Sequence, residues 1–509
     1  MSIEKHNILI RNLIRYLKPQ CDTQLLQTHI STVILCGDTV YKLKKPVDFG
    51  FLDYSTLKKR HLYCMEELRI NKRYAPKLYL GIVKITGSIE NPEIEGDGKV
   101  LDYAVKMRRF EQRNQLDHIA DDGRLEIEMA EKIAEMLAGI HTGLESVDPA
   151  SAYGDPNALY APMKENFEQL AILDTERFSR KKDAVEMWTY REFNRLRKVL
   201  KKRKREGFIR ECHGDLHLHN MALYKGKMIL FDAIEFNPNL NHIDVISDLA
   251  FLLMDLEYRG LFRHSRRVLN RYLELTGDYE GVEVLNFYKT YRAMVRAKVS
   301  ALRAAQTGKG KEYEAILDEV EGYMDLAIKY TEKTDLFLAL THGFSGSGKS
   351  TCALMSVESY GALRIRSDRE RMRLFGPNGE KGIEEKYSPD ANRKTYERLA
   401  KLALVVLRAG LPVVVDATFL KQWQRKLFEQ LSVEQDIPFR ILDLQCDTEV
   451  IRDRIKKRTK LGNDISEADT NILEMQIKNA EELSEDELKY QKIIDCSSME
   501  SMMDSLLHR

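Results

Sequence analysis

The chain has 509 residues, enough for roughly two to four domains with several buried cores. Apolar residues make up 43% and charged residues 31%, an ordinary globular balance. Lys and Arg total 80 against 79 Asp and Glu, a net charge of +1, so no global field draws the chain to nucleic acid or an anionic membrane. The opening Met1-Ser2-Ile3-Glu4-Lys5-His6 lacks a charged-then-apolar signal pattern, and no apolar run is long enough for a bilayer. Seven scattered cysteines (Cys21, Cys36, Cys64, Cys212, Cys352, Cys446 and Cys496) show no C-x-x-C spacing. Reduced thiols and a cytoplasmic location are expected, rather than disulfides or a zinc site. Internal repeats and low-complexity tracts are absent.

Residues 6–17 read as a short helix. Ser31 to Leu35 and Thr39 to Lys44 are β-rich runs joined through Cys36-Gly37-Asp38, a hairpin signal. Lys42 and Lys44 share one face of the second strand, which Lys45-Pro46 ends. Ser55 to Tyr74 reads as an amphipathic helix with Leu57, Leu62, Met65, Leu68 and Ile70 at helical spacing, and it also carries Glu66 and Glu67. Leu78 to Ile85 and Leu101 to Met107 are strand-like around a turn at Glu93 to Lys99. A small, mainly antiparallel sheet with one helix results. From Arg124 the period is helical: 124–141, 162–177, 183–205, 244–276 and 282–330, interrupted at Ile209 to Pro238. Asp244 and Asp248 read as caps of the helix that follows them. The basic run Lys201-Lys202-Arg203-Lys204-Arg205 either contacts a polyanion or is an exposed helix end; lacking interleaved aromatics, it is read as the latter.

The interruption contains His213-Gly214-Asp215-Leu216-His217-Leu218-His219-Asn220, and twelve residues later a strand, Met228 to Phe231, ends in Asp232. This D-x-x-x-x-N with a strand-end aspartate resembles the catalytic loop of the protein-kinase-like fold, in the variant of aminoglycoside and choline phosphotransferases. The resemblance implies Asp215 as the base for an acceptor hydroxyl, with Asn220 and Asp232 as Mg²⁺ ligands. It also implies a strand lysine paired with a helix glutamate. Lys42 is the first match and Lys44 the second; Glu67 is the first match and Glu66 the second. No G-x-G-x-x-G precedes Lys42, so the hairpin Ile30 to Asp38 must cover the phosphates. His219 stands where that branch commonly has glycine. His213, His217 and His219 also form a candidate metal cluster, a reading that competes with the Asp/Asn spacing. A degenerate, inactive version of the site is the other alternative.

A polar linker, Thr331 to Asp335, leads into strand Leu336 to Leu340 and then Gly343-Phe344-Ser345-Gly346-Ser347-Gly348-Lys349-Ser350-Thr351. This is G-x-x-x-x-G-K-[S/T] complete between a strand and a helix. Glycines that turn a strand into a helix leave several backbone N–H groups aimed at one polyphosphate. Lys349 reaches the β- and γ-phosphates and Ser350 ligates Mg²⁺. The rest alternates strand and helix, with strands at 362–366, 412–415, 439–445 and 492–495, which predicts a parallel sheet with its ligand beyond the carboxyl strand ends. Asp416 ends a Val413-Val414-Val415 strand and is placed to hold Mg²⁺ through water. Asp368 is a candidate base, or a helix N-cap, and Arg371 a candidate anion holder. Arg454 and Arg458 lie four residues apart on a helix, as transition-state arginines of a lid or as a solvated face, before Asp464-Ile465-Ser466-Glu467-Ala468.

This second part, about residues 335–509, resembles the P-loop kinases that include polynucleotide 5′-kinase, gluconate kinase and zeta-type toxins. The whole chain resembles a bacterial family that joins an aminoglycoside-phosphotransferase-like domain to a P-loop ATP-binding domain. Lys42-Leu43-Lys44-Lys45-Pro46 and Phe231-Asp232-Ala233-Ile234-Glu235-Phe236 agree with it. The expectation is therefore a multidomain protein. Residues 1–330 form an α+β protein-kinase-like domain, with a small lobe to about 115 and a helical lobe from 116, and residues 335–509 an α/β P-loop domain. The implied activity is ATP- and Mg²⁺-dependent phosphate transfer to a small-molecule hydroxyl at two sites, with no membrane partner. The alternative makes the P-loop domain the active kinase, acting on nucleic-acid 5′ ends, and the first domain a sensor. Neither acceptor nor oligomer is encoded in a readable motif. An aminoglycoside acceptor would ask for an acidic pocket, which the sequence does not assign.

Overall fold

The computed structural model describes residues 1–50, 52–173, 176–376, 388–461 and 470–507. Its contacts fall into two units, residues 1–129, 140–256 and 291–324 in one, and 130–139, 257–290 and 325–509 in the other.

The first unit starts with helix α1 (Ile3–Leu17), whose first turn is capped by Ser2 Oγ accepting the Lys5 amide. Leu9, Ile10, Leu13 and Leu17 recur at helical spacing and are buried. They pack on an antiparallel sheet of β1 (Thr23–Gln27), β2 (Ser31–Cys36), β3 (Thr39–Lys44), β4 (Tyr79–Gly87), β5 (Pro92–Ile94) and β6 (Val100–Arg108), in the order β1-β2-β3-β6-β4-β5. The period of two along β3 divides its side chains between the two faces of this sheet. Tyr41 and Leu43 join the α1 cluster, so Lys42 and Lys44 project from the opposite face.

That opposite face carries α2 (Leu57–Tyr74), and here the apolar spacing misleads. Leu62 and Met65 are 51% and 49% exposed. Ile70 is buried as expected, but the rest of the buried stripe is Arg60, Cys64, Glu67, Asn71 and Tyr74, at i, i+4, i+7, i+11 and i+14. Arg60, Glu67 and Asn71 occupy it because each finds a buried partner: Arg60 Nε donates to Asp102 at 2.8 Å, Glu67 pairs with Lys44, and Asn71 Oδ1 accepts the Ala233 amide at 2.9 Å. A second departure concerns the thiols. Cys21 and Cys36 are joined as a disulfide, with Cα atoms 5.3 Å apart, because Cys36 at the end of β2 pairs opposite Thr23 on β1. The other five cysteines are free.

The helical part of the first unit includes α3 (Leu116–Asp121), the ends of α4 (Ile127–Gly143), α5 (Pro156–Leu170), α6 (Glu176–Arg205), the short α7 (Pro238–Asn241), most of α8 (Val245–Tyr258) and residues 291–306 of α10. The expected helix 244–276 is two: α8 stops at Gly260, whose φ is +76°, and α9 (Phe262–Thr276) begins anew. Likewise 282–330 breaks between α10 (Leu285–Gln306) and α11 (Lys311–Lys329). Strands β7 (Ile209–Glu211), β8 (Met221–Tyr224), β9 (Lys227–Leu230) and β10 (His242–Asp244) frame the polar loop in two small ladders.

Part of the basic run is used internally. Arg203 Nε and Nη2 lie 2.6 and 2.9 Å from the Asp244 carboxylate, both residues buried, and Lys204 Nζ donates to Ser151 O at 2.6 Å. Arg203→Ala leaves the Asp244 carboxylate buried and is expected to destabilise the protein by about 3–5 kcal/mol. The exposed Lys201→Ala should stay within about 0.5 kcal/mol. Urea unfolding of the two variants beside the wild type checks both values.

In the second unit, β11 (Leu338–His342), β12 (Leu363–Arg366), β13 (Val413–Asp416), β14 (Phe439–Gln445) and β15 (Gln491–Asp495) form a fully parallel sheet, order β12-β13-β11-β14-β15. Helix α12 (Lys349–Tyr360) follows the glycine loop, and α13 (Ser367–Phe375) follows β12. Ala339, Val414, Leu442 and Ile494 pack against Cys352, Ala353, Met355, Met502 and Leu506. The expected helix from 467 is seen over Thr470–Asn479, and residues 462–469 lie outside the described residues. The chain thus has a protein-kinase-like α+β N-terminal half and an α/β P-loop C-terminal domain.

Candidate active sites

The first site gathers on the β3/α2 face. Lys42 Nζ lies 2.9 Å from Glu67 Oε1 and also pairs with Asp232. Lys44 Nζ lies 2.8 Å from Glu67 Oε2 and pairs with Glu235, whose Oε1 accepts Tyr54 Oη–H at 2.6 Å. Both lysines therefore share one fully buried glutamate, while Glu66 turns outward to Arg69. Lys42 lines the cleft; Lys44, 1% exposed, is not among its lining residues. Burial alone pushes the Glu67 carboxyl up, but Lys42 and Lys44 outweigh it and hold it down at about 2. Burial raises the Glu235 carboxyl above its ordinary range, with the Glu67 charge adding to the rise against the pull of Lys44.

Asp232 follows β9 with φ +61°, a left-handed conformation uncommon for a residue with a side chain. It is held there by Tyr79 Oη, which accepts its amide at 3.1 Å, and by Asn71 on the next amide. Asp215 sits at the other side of the cleft. Asn220 Nδ2 donates to Asp215 O and Oδ2, each at 3.0 Å, and His217 Nε2 is 3.3 Å from Oδ2. Burial raises the Asp215 carboxyl, yet His217, Arg296 and His213 together bring it below the ordinary carboxylate range. The three loop histidines turn to different partners: His213 to Phe231 O, His217 to Asp215, and His219 to Asp117 at 2.7 Å. Asp248 does not cap its own helix. Its carboxylate accepts the His213 and Gly214 amides at 3.1 and 2.8 Å and lies 3.2 Å from His141 Nε2, so it clamps the loop. Arg292 does the same from the carbonyl side, donating to Gly214 O at 3.0 Å. Asp244, by contrast, accepts the Ile246 amide as a cap as well as pairing with Arg203.

The cleft holding these groups has a volume of about 1720 Å³ and is lined by both lobes of the first unit. One end meets the β1–β2 turn, Thr28 to Ser31, and the Phe110–Phe231 edge-to-face pair; the other runs between α5 and α10. Asp215, Asn220 and Asp232 are hard oxygen donors, the set that suits Mg²⁺.

The second site is the glycine loop. Gly343, Gly346 and Gly348 have φ of +141°, +86° and +99°. A Cβ on Gly346 would stand 2.9 Å from Ile455 Cγ1. Ser347 Oγ is buried with no hydrogen-bond partner, and Lys349 Nζ donates to Phe344 O at 2.6 Å. Ser350 and Thr351 lie in the first turn of α12, the Thr351 amide donating to Gly348 O at 3.0 Å. Arg366 and Asp416 end paired strands, and the buried Asp416 Oδ2 makes no hydrogen bond but lies 3.6 Å from Arg366 Nε. A buried carboxylate oxygen at the β13 end, with one long ion pair and no hydrogen bond, fits a hydrated Mg²⁺. Asp368 lies in the first turn of α13; burial raises its carboxyl, Asp416 adds to the rise, and Arg366, Arg371 and Lys349 oppose it. The four other groups therefore lie near the Asp368 carboxyl. Arg454 is near the loop but engaged elsewhere, donating to Cys496 O at 2.8 Å and reaching Cys446 Sγ at 3.6 Å. The Arg458 side chain and the segment 464–468 lie outside the described residues.

Several contributors carry no sequence signal. Tyr54, Glu235 and Asn71 act across 160 to 190 residues, a distance no local spacing reveals. Gln476 is another: its Oε1 accepts the Ser345 amide and its Nε2 donates to Ser345 Oγ, both at 2.9 Å.

Gly346→Ala would force a side chain into a left-handed position against a β-branched neighbour, about 1–2 kcal/mol of backbone strain before the clash. Nucleotide affinity at this site is expected to fall roughly tenfold or more. Calorimetric titration with a non-hydrolysable ATP analogue, in a Lys42→Met background that isolates the P-loop site, measures it.

A family model described as an AAA domain matches residues 338–483. Over 452 residues the chain is 31% identical to an uncharacterized protein of Mycobacterium tuberculosis, covering 86% of each, and equally to one of Mycobacterium bovis. Among solved structures, a choline/ethanolamine kinase family protein from Mesorhizobium loti aligns at 13% identity and TM-score 0.37, covering 61% of this chain and 88% of its own. A gluconokinase from Sinorhizobium meliloti aligns at 18% identity and TM-score 0.27, covering 34% of this chain and 91% of its own.

Proposed function

The chain belongs to the family of these mycobacterial proteins, and from its two sites we propose that it is an ATP-dependent kinase, each site transferring a γ-phosphate to a small-molecule hydroxyl. The observation that carries the reading is the first cleft. Lys42, Asp215 and Asp232 line it, with Glu67 on Lys42 and Asn220 on Asp215, and Lys42 meets Asp232 across 190 residues. A working division at residues 1–330 and 335–509 belongs to the proposal.

At the first site, Lys42 grips the α- and β-phosphates and Glu67 holds the lysine in place. Asn220 and Asp232 would hold Mg²⁺, which would neutralise phosphate charge when bound. Asp215 takes the proton of the acceptor hydroxyl. That oxygen forms its bond to the γ-phosphorus, the bond to the β–γ bridging oxygen breaks, and ADP leaves. At the second site the backbone amides of the glycine loop cradle the phosphates, Lys349 reaches over them, and Ser350 with Asp416 would hold Mg²⁺. Asp368 is the base proposed there, and Arg371, Arg454 and Arg458 are proposed to hold anionic groups.

The test uses purified protein, γ-labelled ATP, pooled small metabolites and 5′-hydroxyl oligonucleotides. Wild type is run beside Asp215→Asn and Lys349→Ala. Label on small molecules that is lost partly in each variant supports two working sites. Label that vanishes entirely with Lys349→Ala and appears only on oligonucleotides overturns the proposal.

A further inference from the structure

The acceptor end of the first cleft has a chemical character of its own. It lies between two helix faces. On α5 the lining residues are Ala158, Ala161, Pro162, Glu165, Asn166 and Gln169, at i, i+3, i+4, i+7, i+8 and i+11. On α10 they are Tyr291, Arg292, Val295, Lys298, Val299 and Leu302, at i, i+1, i+4, i+7, i+8 and i+11. Both sets are single stripes of an α-helix, so the two faces form the walls of one slot. Most of the lining is apolar or small, which makes the polar exceptions informative.

Two of these exceptions are donors without acceptors. Lys298 is half-buried in the slot wall, and among the described residues no ion pair holds it. Burial lowers its ammonium below the ordinary lysine range, against only a distant opposing pull from Glu165. Asn166 is buried to 1% exposure, and its Nδ2 finds no hydrogen-bond partner. A half-buried cation and an orphaned amide donor are costly to leave unmatched. The other cations near Asp215 are already committed: Arg292 to Gly214 O and Ser247, and Arg296 to Tyr323 Oη at 3.4 Å. Glu165 lines the same slot from an exposed position and makes no ion pair with Lys298.

We propose that the acceptor of the first site is an anionic hydroxyl compound, its carboxylate or phosphate held by Lys298 and Asn166 between α5 and α10 while its hydroxyl faces Asp215. This rests on the kinase reading of that cleft. It separates the site from one built for a polycationic acceptor, which would line the slot with carboxylates.

The experiment has two arms on the full chain. In the first, Asp215→Asn protein saturated with MgADP is titrated calorimetrically with two triads, each an anion, a neutral compound and a cation: glycerate, glycerol and ethanolamine; gluconate, glucose and glucosamine. Glycerol 3-phosphate is added to tell phosphate from carboxylate. The anionic members are expected to bind at least tenfold more tightly than the neutral ones. Lys298→Ala should abolish the preference and Lys298→Arg restore most of it, while the affinity for MgADP stays unchanged. Equal or tighter binding of the neutral or cationic members, a preference untouched by Lys298→Ala, or no binding by any member overturns the proposal. In the second arm, the wild-type protein is assayed for label transfer to the same compounds. A Lys298-dependent anion preference without transfer keeps the slot and sinks the kinase reading. Transfer to neutral acceptors, indifferent to Lys298, does the reverse. For an anion that is phosphorylated, Lys298→Ala should raise KM tenfold or more and leave kcat within about twofold.

Discussion

Asp215→Asn should lower phosphate transfer at the first site by about 10²–10⁴-fold, the usual worth of a positioned general base. The substitution is nearly isosteric. The Asn220 amide can still donate to the new side-chain oxygen and to the backbone carbonyl, so the loop should hold its shape. Nucleotide affinity should therefore change little while kcat falls, which separates a catalytic role from a structural one. The pH profile supplies a second check. Only the ionised carboxylate accepts a proton, and this carboxyl is held below its ordinary 3.8 by His217, Arg296 and His213 against the cost of burial. The acid limb attributable to Asp215 should accordingly fall below pH 3.8. An acid limb near neutrality that persists in Asp215→Asn would mean that another group takes the proton.

Glu67→Ala is expected to have the largest effect on stability, about 3–5 kcal/mol, because it removes the shared partner of two buried lysines. Lys44 would keep Glu235, but Lys42 would keep only Asp232, the residue proposed to hold metal. Nucleotide binding at the first site should be lost together with stability. Glu67→Gln should fall between, retaining the shape and losing the charge. The pH dependence has a definite sign. The folded carboxyl titrates at about 2 against 4.5 unperturbed, so its contribution is complete above pH 4.5 and fades as the pH falls toward 2. Urea midpoints of wild type and Glu67→Gln across that window should converge at the acid end. Parallel curves would assign the stability elsewhere.

The glycine loop, the alternating strands and helices after it, and the Asp215–Asn220–Asp232 spacing are local patterns, and local patterns can be read in a linear sequence. The face of β3 carrying Lys42 and Lys44 likewise comes from the period of two alone. What stayed hidden is non-local. Of the buried stripe of α2 only Ile70 could be found from hydrophobicity, because Arg60, Glu67 and Asn71 are buried by virtue of partners on other elements. The Cys21–Cys36 bond depends on strand pairing, not on thiol spacing. Asp248 reads as a helix cap because that is the commonest use of such a residue, yet its partners lie 34 and 35 residues upstream.

The alternation on β3 also bears on how the strand finds its place. Tyr41 and Leu43 enter an apolar cluster, while Lys42 and Lys44 enter a ring of acids. A pairing slipped by one residue would exchange the two sets, placing two ammonium groups against α1 and two hydrophobic side chains against Glu67 and Glu235. No intermediate arrangement is tolerable, since each wrong contact is an unpaired buried charge. The same buried ion pairs that shape the first site thus also oppose a one-residue slip of the strand.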